Sequence, residues 1–329
     1  MAGFSEVTGH EQIKESLRNA LISKKVSNAY IFCGEDGCGK NTLASAFAKA
    51  LVCEAGYGDS CGMCRSCMRF ESGNHPDVRR IIHEKPASIG VDEVRAQLVN
   101  DVAEKPYYGG RKVYIIDEAE KLTAEAQNAM LKTLEEPPAY AVILLLANST
   151  EPLLPTILSR CVTLNLRAIG QDTVVRYLMQ NCGTPEDQAR ICAAYSQGNI
   201  GKAKAMATQP DFRDMQDYVI NMLKRIDGME EYELIEVISE LVQYKDRMSD
   251  IFDLMALWYR DVLVLKASSD VNRIIFRNEY YSLQKKANIS SYEGLNEIIK
   301  AIDKARIRLA ANVNFDITME MLLLTVKEN

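Results

Sequence analysis

The stretch Ala29-Tyr30-Ile31-Phe32-Cys33-Gly34-Glu35-Asp36-Gly37-Cys38-Gly39-Lys40-Asn41-Thr42 decides the fold of the first half of the chain. A short apolar run, Ala29–Phe32, leads into a glycine-spaced turn, and Leu43–Val52 reads as the helix that follows. Strand, loop and helix in that order form the setting of a phosphate-binding loop. Glycines let backbone N–H groups curl around a phosphate, the helix N-terminus adds positive potential, and a lysine reaches the outer phosphates. Gly34, Gly37, Gly39 and Lys40 are therefore candidate binding residues. The next position breaks the pattern. A Ser or Thr hydroxyl is expected there to ligate Mg²⁺, whereas this chain has Asn41, with Thr42 one place later. Successive helical residues turn by about 100°, so Thr42 points elsewhere. Phosphate binding is expected to survive this change better than metal positioning or hydrolysis.

Working outward, further apolar runs occur at Val78–Ile82, Val113–Ile116, Val142–Leu146 and Val162–Leu164, separated by helix-like stretches. Runs this short and this continuously apolar suit strands covered on both faces, and their alternation with helices predicts a parallel α/β sheet. Ala124–Glu135 reads as a helix stopped by Pro137-Pro138. The run ending Ile115-Ile116-Asp117-Glu118 would deliver Asp117 to a Mg²⁺ shell and Glu118 to an attacking water. The plainer alternative is a strand ending in a solvated acidic turn.

After Arg167 the strands give way to helical periodicity. Gly183-Thr184-Pro185 and Gly198-Asn199-Ile200-Gly201 punctuate short helices. Further on, Ile251, Leu254, Met255, Trp258, Val262 and Leu265 share one helix face, as do Leu295, Ile298, Ile299, Ile302 and Leu309. These stripes read as bundle core, or in part as a subunit interface. The expected division is 1–166 for the α/β domain, 167–210 for a small helical domain, and 211–329 for a longer helical domain.

Composition narrows the class. The chain has 329 residues, 47% of them hydrophobic and 26% charged, with a net charge of −6. That is a globular composition with no globally basic surface, so any nucleic-acid contact must come from a local patch or a neighbouring chain. No apolar run approaches the ~20 residues needed to span a bilayer. The first residues carry acids early and lack an apolar core, so neither a signal peptide nor a membrane partner is expected. The expected compartment is the cytoplasm, where clustered cysteines serve as metal ligands rather than disulfides. Cys53, Cys61, Cys64 and Cys67 are spaced C-x₇-C-x₂-C-x₂-C. Four thiolates complete a tetrahedral Zn²⁺ site with no open position, which implies a structural zinc module at about 53–67. His75 and His83 are competing ligands by type. Cys33, Cys38, Cys161, Cys182 and Cys192 are scattered and read as packing residues.

To these segments are added Phe4–Gly9, Asn74-His75-Pro76-Asp77, Ile89–Arg95, Gln127–Pro138 and Ser159-Arg160-Cys161. In this order the set resembles bacterial clamp-loader subunits of the AAA+ class, over nearly the whole chain. The resemblance implies an AAA+ P-loop domain with an inserted zinc module, a small helical lid and an all-α collar. It also implies partners: gamma/tau motor subunits, a delta subunit, a sliding clamp, and primer–template DNA reached mainly through the complex. By the motif match, Arg160 is an arginine finger acting in trans on a neighbour's ATP, and Asn148 stands at the sensor-1 position. Gly201 stands where the motors carry a sensor-2 arginine, followed by Lys202, and a lysine does not replace a planar guanidinium fork. The resemblance therefore points to a non-motor member with little or no ATPase activity of its own, in which Glu118 is vestigial and Mg²⁺ is poorly held. Whether ATP or ADP enters the loop stays open. The alternative is an active gamma/tau-type motor, which Lys40, Asp117 and Glu118 favour. Arg95 and Lys132 are candidates for phosphate contact in DNA and read equally well as solvated helix faces.

Overall fold

The apolar runs form one parallel sheet. Strands β1 (Ala29–Cys33), β2 (Val78–Arg80), β3 (Lys112–Ile116), β4 (Ala141–Ala147) and β5 (Val162–Asn165) lie in the order β2-β3-β4-β1-β5. The computed structural model describes residues 3–82, 87–108, 110–268 and 270–329. Ala29 pairs with Ile143 and Cys33 with Ala147, while Ile116 pairs with Leu145. This register brings the carboxyl ends of β3, β4 and β1 side by side, the edge at which open α/β sheets bind ligands.

Side chains alternate across the sheet with period two, and the two faces feed two cores. Tyr30, Phe32, Val113, Ile115, Leu144 and Leu146 pack with Phe4, Leu17, Leu43 and Phe47. Ile31, Tyr114, Ile116, Ile143 and Leu145 pack on the other side with Val94, Leu98, Met130 and Leu134. Helices α1 (Glu11–Ile22) and α2 (Lys40–Val52) serve the first face. The second face is served by α4 (Val91–Val94) with the wider turns that continue it to Val99, and by α5 (Ala124–Glu135), whose bounds match the sequence reading. The short helices α3 (Arg65–Glu71) and α6 (Pro155–Leu158) carry candidate site residues.

The chain divides into two compact units, Met1–Ile169 with Asn199–Gly201, and Gly170–Gly198 with Lys202–Asn329. The expected boundary at 210 falls inside the second unit. That unit is helical: α7 (Gln171–Cys182), α8 (Glu186–Tyr195), α9 (Ile200–Thr208, whose first two residues belong to the first unit), α10 (Pro210–Arg225), α11 (Glu231–Leu241), α12 (Met248–Ser268), α13 (Tyr280–Ile289), α14 (Tyr292–Ala310) and α15 (Phe315–Glu328). The six-residue stripe of α12 is buried throughout, and in α14 Leu295, Ile298 and Ile302 are buried. Asp261, fully buried on α12, accepts the backbone N–H groups of Ile275 and Phe276 and so fixes the loop that leads to α13. Among the described residues no helix is long and apolar enough to cross a membrane.

One buried ion cluster secures the β2–β3 edge. Asp101 meets Lys112 Nζ at 2.8 Å, Arg79 at 2.8 Å and the Tyr114 hydroxyl at 2.6 Å. Burial opposes its ionisation, but Lys112, Tyr114 and Arg79 outweigh burial and hold the carboxyl below its ordinary range. A carboxyl depressed in the folded state adds stability that is present above its unfolded value, about pH 4, and is lost as pH falls through the folded value. Asp101→Asn would leave the buried Lys112 ammonium with only backbone carbonyls and no counter-charge, at a cost of about 3 kcal/mol. Urea denaturation should show the midpoint falling with an unchanged slope, together with a flatter acid profile than wild type. An unchanged midpoint would mean the cluster contributes nothing.

Candidate functional site

The loop between β1 and α2 has the shape its glycines permit. Gly37 and Gly39 have φ of 84° and 100°, in the left-handed region, and Gly39 caps the N-terminus of α2. Lys40, 8% exposed, folds back under the loop. Its ammonium donates to the Gly34 carbonyl, to the Asn148 side-chain oxygen and, at 3.2 Å, to Asp36. Asn148, just past β4, closes the set by donating its amide to the other Asp36 oxygen at 3.1 Å. Lys40 and Asn148, far apart in sequence, thus meet as the strand register requires.

The position after the lysine is occupied in an informative way. Asn41 Nδ2 donates to Asp117 Oδ2 at 3.1 Å, while Asn41 Oδ1 accepts from Arg80 at 3.0 Å and from Ser45 at 3.1 Å. Only one orientation of the amide suits both sides, because Asp117 can only accept and the guanidinium can only donate. The two residues expected to share a Mg²⁺ shell are therefore bonded directly to each other. Glu118 adopts a left-handed backbone (φ 51°), a conformation that non-glycine residues adopt chiefly where function or packing demands it, and its carboxylate pairs with Lys121 at 2.7 Å. Thr42 is exposed on α2. The arrangement keeps the glycine-lined loop shape and its lysine, while the Asn41 and Asp117 side chains at the expected metal corner are bonded to protein groups.

Two contributors to this corner give no signal in the sequence: Arg80, a lone arginine at the end of β2, and Asp36, a polar residue within the loop. The segment Asn199–Gly201, expected near a sensor position, belongs to the first unit and packs on the loop. Asn199 donates its amide to the Asp36 carbonyl at 2.7 Å, and Gly201 N–H donates to the Gly37 carbonyl at 2.9 Å. A Cβ at Gly201 would stand 2.6 Å from Gly37 Cα, so this close approach admits no side chain at 201.

The four cysteines converge. The sulfurs of Cys53, Cys61, Cys64 and Cys67 all lie within 4.8 Å of one another, and the Cys53–Cys64 and Cys61–Cys67 pairs are 4.0 Å apart. A tetrahedral ion with metal–sulfur bonds of about 2.3 Å needs sulfurs roughly 3.8 Å apart, so a small contraction completes the site. Backbone N–H groups of Cys61, Cys64 and Cys67 each donate to a ligand sulfur at 3.3 Å. The N–H groups of Met63 and Cys64 draw the Cys61 thiol down to about 6, favouring the thiolate that a metal needs, while burial pushes Cys67 up. Cys64 also caps α3, which places its sulfur at a helix N-terminus. His75 does not join the cluster, since its ring nitrogens face Ser66 and the Asp77 N–H. His83 lies outside the described residues.

Arg160 follows α6 and is one-third exposed, with its guanidinium held to Glu135 at 2.8 Å and to the Thr156 carbonyl at 2.9 Å. It is separate from the cradle of its own chain and presents a cation at the surface. Arg95 is exposed and Lys132 is on the exposed side of α5.

A family model described as "DNA polymerase III, delta subunit" matches residues 9–170, and one described as "DNA polymerase III, delta subunit, C terminal" matches residues 219–328. The chain is similar to DNA polymerase III subunit delta' of Bacillus subtilis, with 28% identity and 96% of each chain covered. It is 30% identical to DNA polymerase III subunit tau of the same organism, covering 83% of this chain and 52% of that one. With subunit tau/gamma of Haemophilus influenzae the identity is 36%, covering 68% of this chain and 34% of that one. The chain thus spans about half or less of these tau-type relatives.

The contact at Gly201 is open to test. Gly201→Ala should force Asn199–Gly201 off the loop at a cost of about 1–3 kcal/mol. Hydrogen exchange should then quicken at 199–201 and in the loop itself; unchanged exchange at both would show the contact to be dispensable.

Proposed function

The chain belongs to the DNA polymerase III clamp-loader family, and we propose that within it the chain is a delta-prime subunit, a non-motor scaffold that supplies an arginine finger to a neighbouring ATPase. The observation that carries this reading is the metal corner of the phosphate loop. Asn41 is bonded to Asp117 and Arg80, and Gly201 leaves no space for a sensor arginine. A loop of this kind favours phosphate over a divalent ion, and hydrolysis needs that ion to bridge the phosphates. ATP or ADP would enter passively, Glu118 would be a relic, and Asn148 would hold Lys40 rather than order a water.

On this reading Arg160 completes the ATP site of an adjacent gamma/tau subunit, where a guanidinium neutralises charge developing on the transferred phosphoryl group. Glu135 keeps it poised and extended until the neighbour docks. The working assembly would hold the motors, this chain and a delta subunit. It would place a sliding clamp on primer–template DNA in the cytoplasm during replication, with DNA reached through the complex. The cysteine cluster would hold structural Zn²⁺, since four sulfurs leave no open coordination position.

A second reading, a gamma/tau-type motor, draws on the retained Lys40, Asp117 and Glu118. Two variants in a reconstituted loader separate the readings. Arg160→Ala should lower turnover at the one site it faces by about 10³-fold while assembly persists, and Arg160→Lys should not restore it. Lys40→Ala in this chain should leave the loader's ATPase unchanged. Most activity lost in the Lys40 variant, or none in the Arg160 variant, would favour the motor.

A further inference from the structure

Ser66 stands between two of the four sulfur ligands, Cys64 and Cys67, and is 1% exposed. Its hydroxyl donates to the Val52 carbonyl at 2.6 Å, and its N–H donates to the Glu54 carboxylate at 3.3 Å. Val52 and Glu54 flank Cys53 on either side. One residue therefore binds the ligand hairpin to both flanks of the remaining ligand, which arrives from the end of α2.

The hydroxyl is itself held. His75, 6% exposed, places Nε2 2.6 Å from Ser66 Oγ, and its Nδ1 receives the Asp77 N–H at 3.1 Å. An accepting Nδ1 puts the ring proton on Nε2, which donates to Ser66, and the Ser66 O–H in turn donates to the Val52 carbonyl. Burial, aided by the nearby Arg69, keeps the imidazole below its usual range, consistent with this neutral tautomer. The direction of the relay is opposite to that of a base activating a serine, so the pair is no nucleophile. Nor does His75 have a lone pair left for a metal. Its own seat is rigid, because the Asp77 carboxylate accepts the N–H groups of Tyr107 and Tyr108 and the Asp77 carbonyl accepts Val113 N–H on β3.

We propose that Ser66, oriented by His75, is the positioning residue of the four-cysteine site, fixing Cys53 against Cys64 and Cys67 so that the four sulfurs are pre-arranged for one tetrahedral ion. The inference rests on the zinc reading given above. Outer groups that orient ligands typically contribute 10–100-fold in metal affinity.

The test compares the full chain with Ser66→Ala and His75→Leu by chelator competition for Zn²⁺, and by the visible ligand-field and sulfur charge-transfer bands of the Co²⁺-loaded forms. Both variants should still bind one ion per chain, about 10–100-fold more weakly, with Co²⁺ bands shifted from the wild type. His75→Gln, which can restore a donor near the Nε2 position, should recover part of the affinity. Asp101→Asn serves as a control that destabilises the same unit away from the cysteines, and it should leave both readouts at wild-type values. Equal affinity and identical bands in Ser66→Ala and wild type overturn the proposal while the zinc reading stands. A loss matched by the Asp101 control overturns it as mere destabilisation. A wild-type chain that takes up neither metal overturns the zinc reading and the proposal together.

Discussion

From Leu43 onward helix α2 is buried on every side, and both candidate centres of the first unit hang from its ends. Every residue from Leu43 to Val52 is buried, including Lys49, whose ammonium is 2.6 Å from Glu71 on α3. A surface helix has a solvent stripe along which it can slide or roll. This one has none, and Ala44, Ala46, Ala48 and Ala50 let neighbouring elements approach closely on successive turns. Its N-terminus presents Lys40 to the glycine loop, and its last turn delivers Val52 and Cys53 to the sulfur cluster. Over thirteen residues at 1.5 Å each, the two centres sit about 20 Å apart on one rod.

At the loop end the protein supplies its own counter-groups. A buried ammonium needs partners, and Lys40 finds them in the Gly34 carbonyl, the Asn148 amide and Asp36. Their weights differ. The Asp36 side chain is 87% exposed, so its Coulombic attraction is heavily screened and contributes little. The carbonyl and amide contacts carry most of the positioning. A phosphate reaching Lys40 must replace them and offset their loss, which its charge can do. A divalent ion has a harder path, since it would have to compete with the Asn41 and Glu118 N–H groups that Asp117 already accepts.

Much of this was legible in sequence. The three inner strands β1, β3 and β4 are covered on both faces and read as continuous apolar runs, and Pro137-Pro138 marked the end of α5; the edge strands β2 and β5 form where expected but are largely exposed, because each has a neighbour on one side only. The C-x₂-C spacings announced the sulfur cluster because the local chain geometry alone brings those residues together. What stayed hidden depends on contacts made far along the chain. The mispairing of Asn41 could be read as a departure from a motif, but its bond to Asp117 required β1 and β3 to be set by β4 between them. Arg80 and Ser66 carry no pattern of their own; each matters through the partners that topology places beside it, Asn41 and Ser45 for Arg80 and Val52, Glu54 and His75 for Ser66. Gly201 was noticed as a missing arginine, while its physical reason, a backbone approach too tight for any Cβ, is visible only in three dimensions.

That last point bears on why a loop with a tied metal corner keeps its glycines and lysine. The Asp36 and Gly37 carbonyls are acceptors for Asn199 and Gly201, and they face that segment only because Gly37 and Gly39 hold left-handed geometry. Lys40 draws Asn148 and Gly34 together beneath the loop, and Asn41 joins α2 to β3 through Asp117 and to β2 through Arg80. Each residue thus has a structural duty that does not pass through hydrolysis. Replacing Asn41 with a hydroxyl residue would free Asp117, but it would also cost Arg80 one of its two acceptors, leaving Ser45, and would keep Gly201 in place, so on the non-motor reading one change would not rebuild a hydrolytic site. The departures from the motif form a mutually supporting set, in which each contact removes the reason for restoring another.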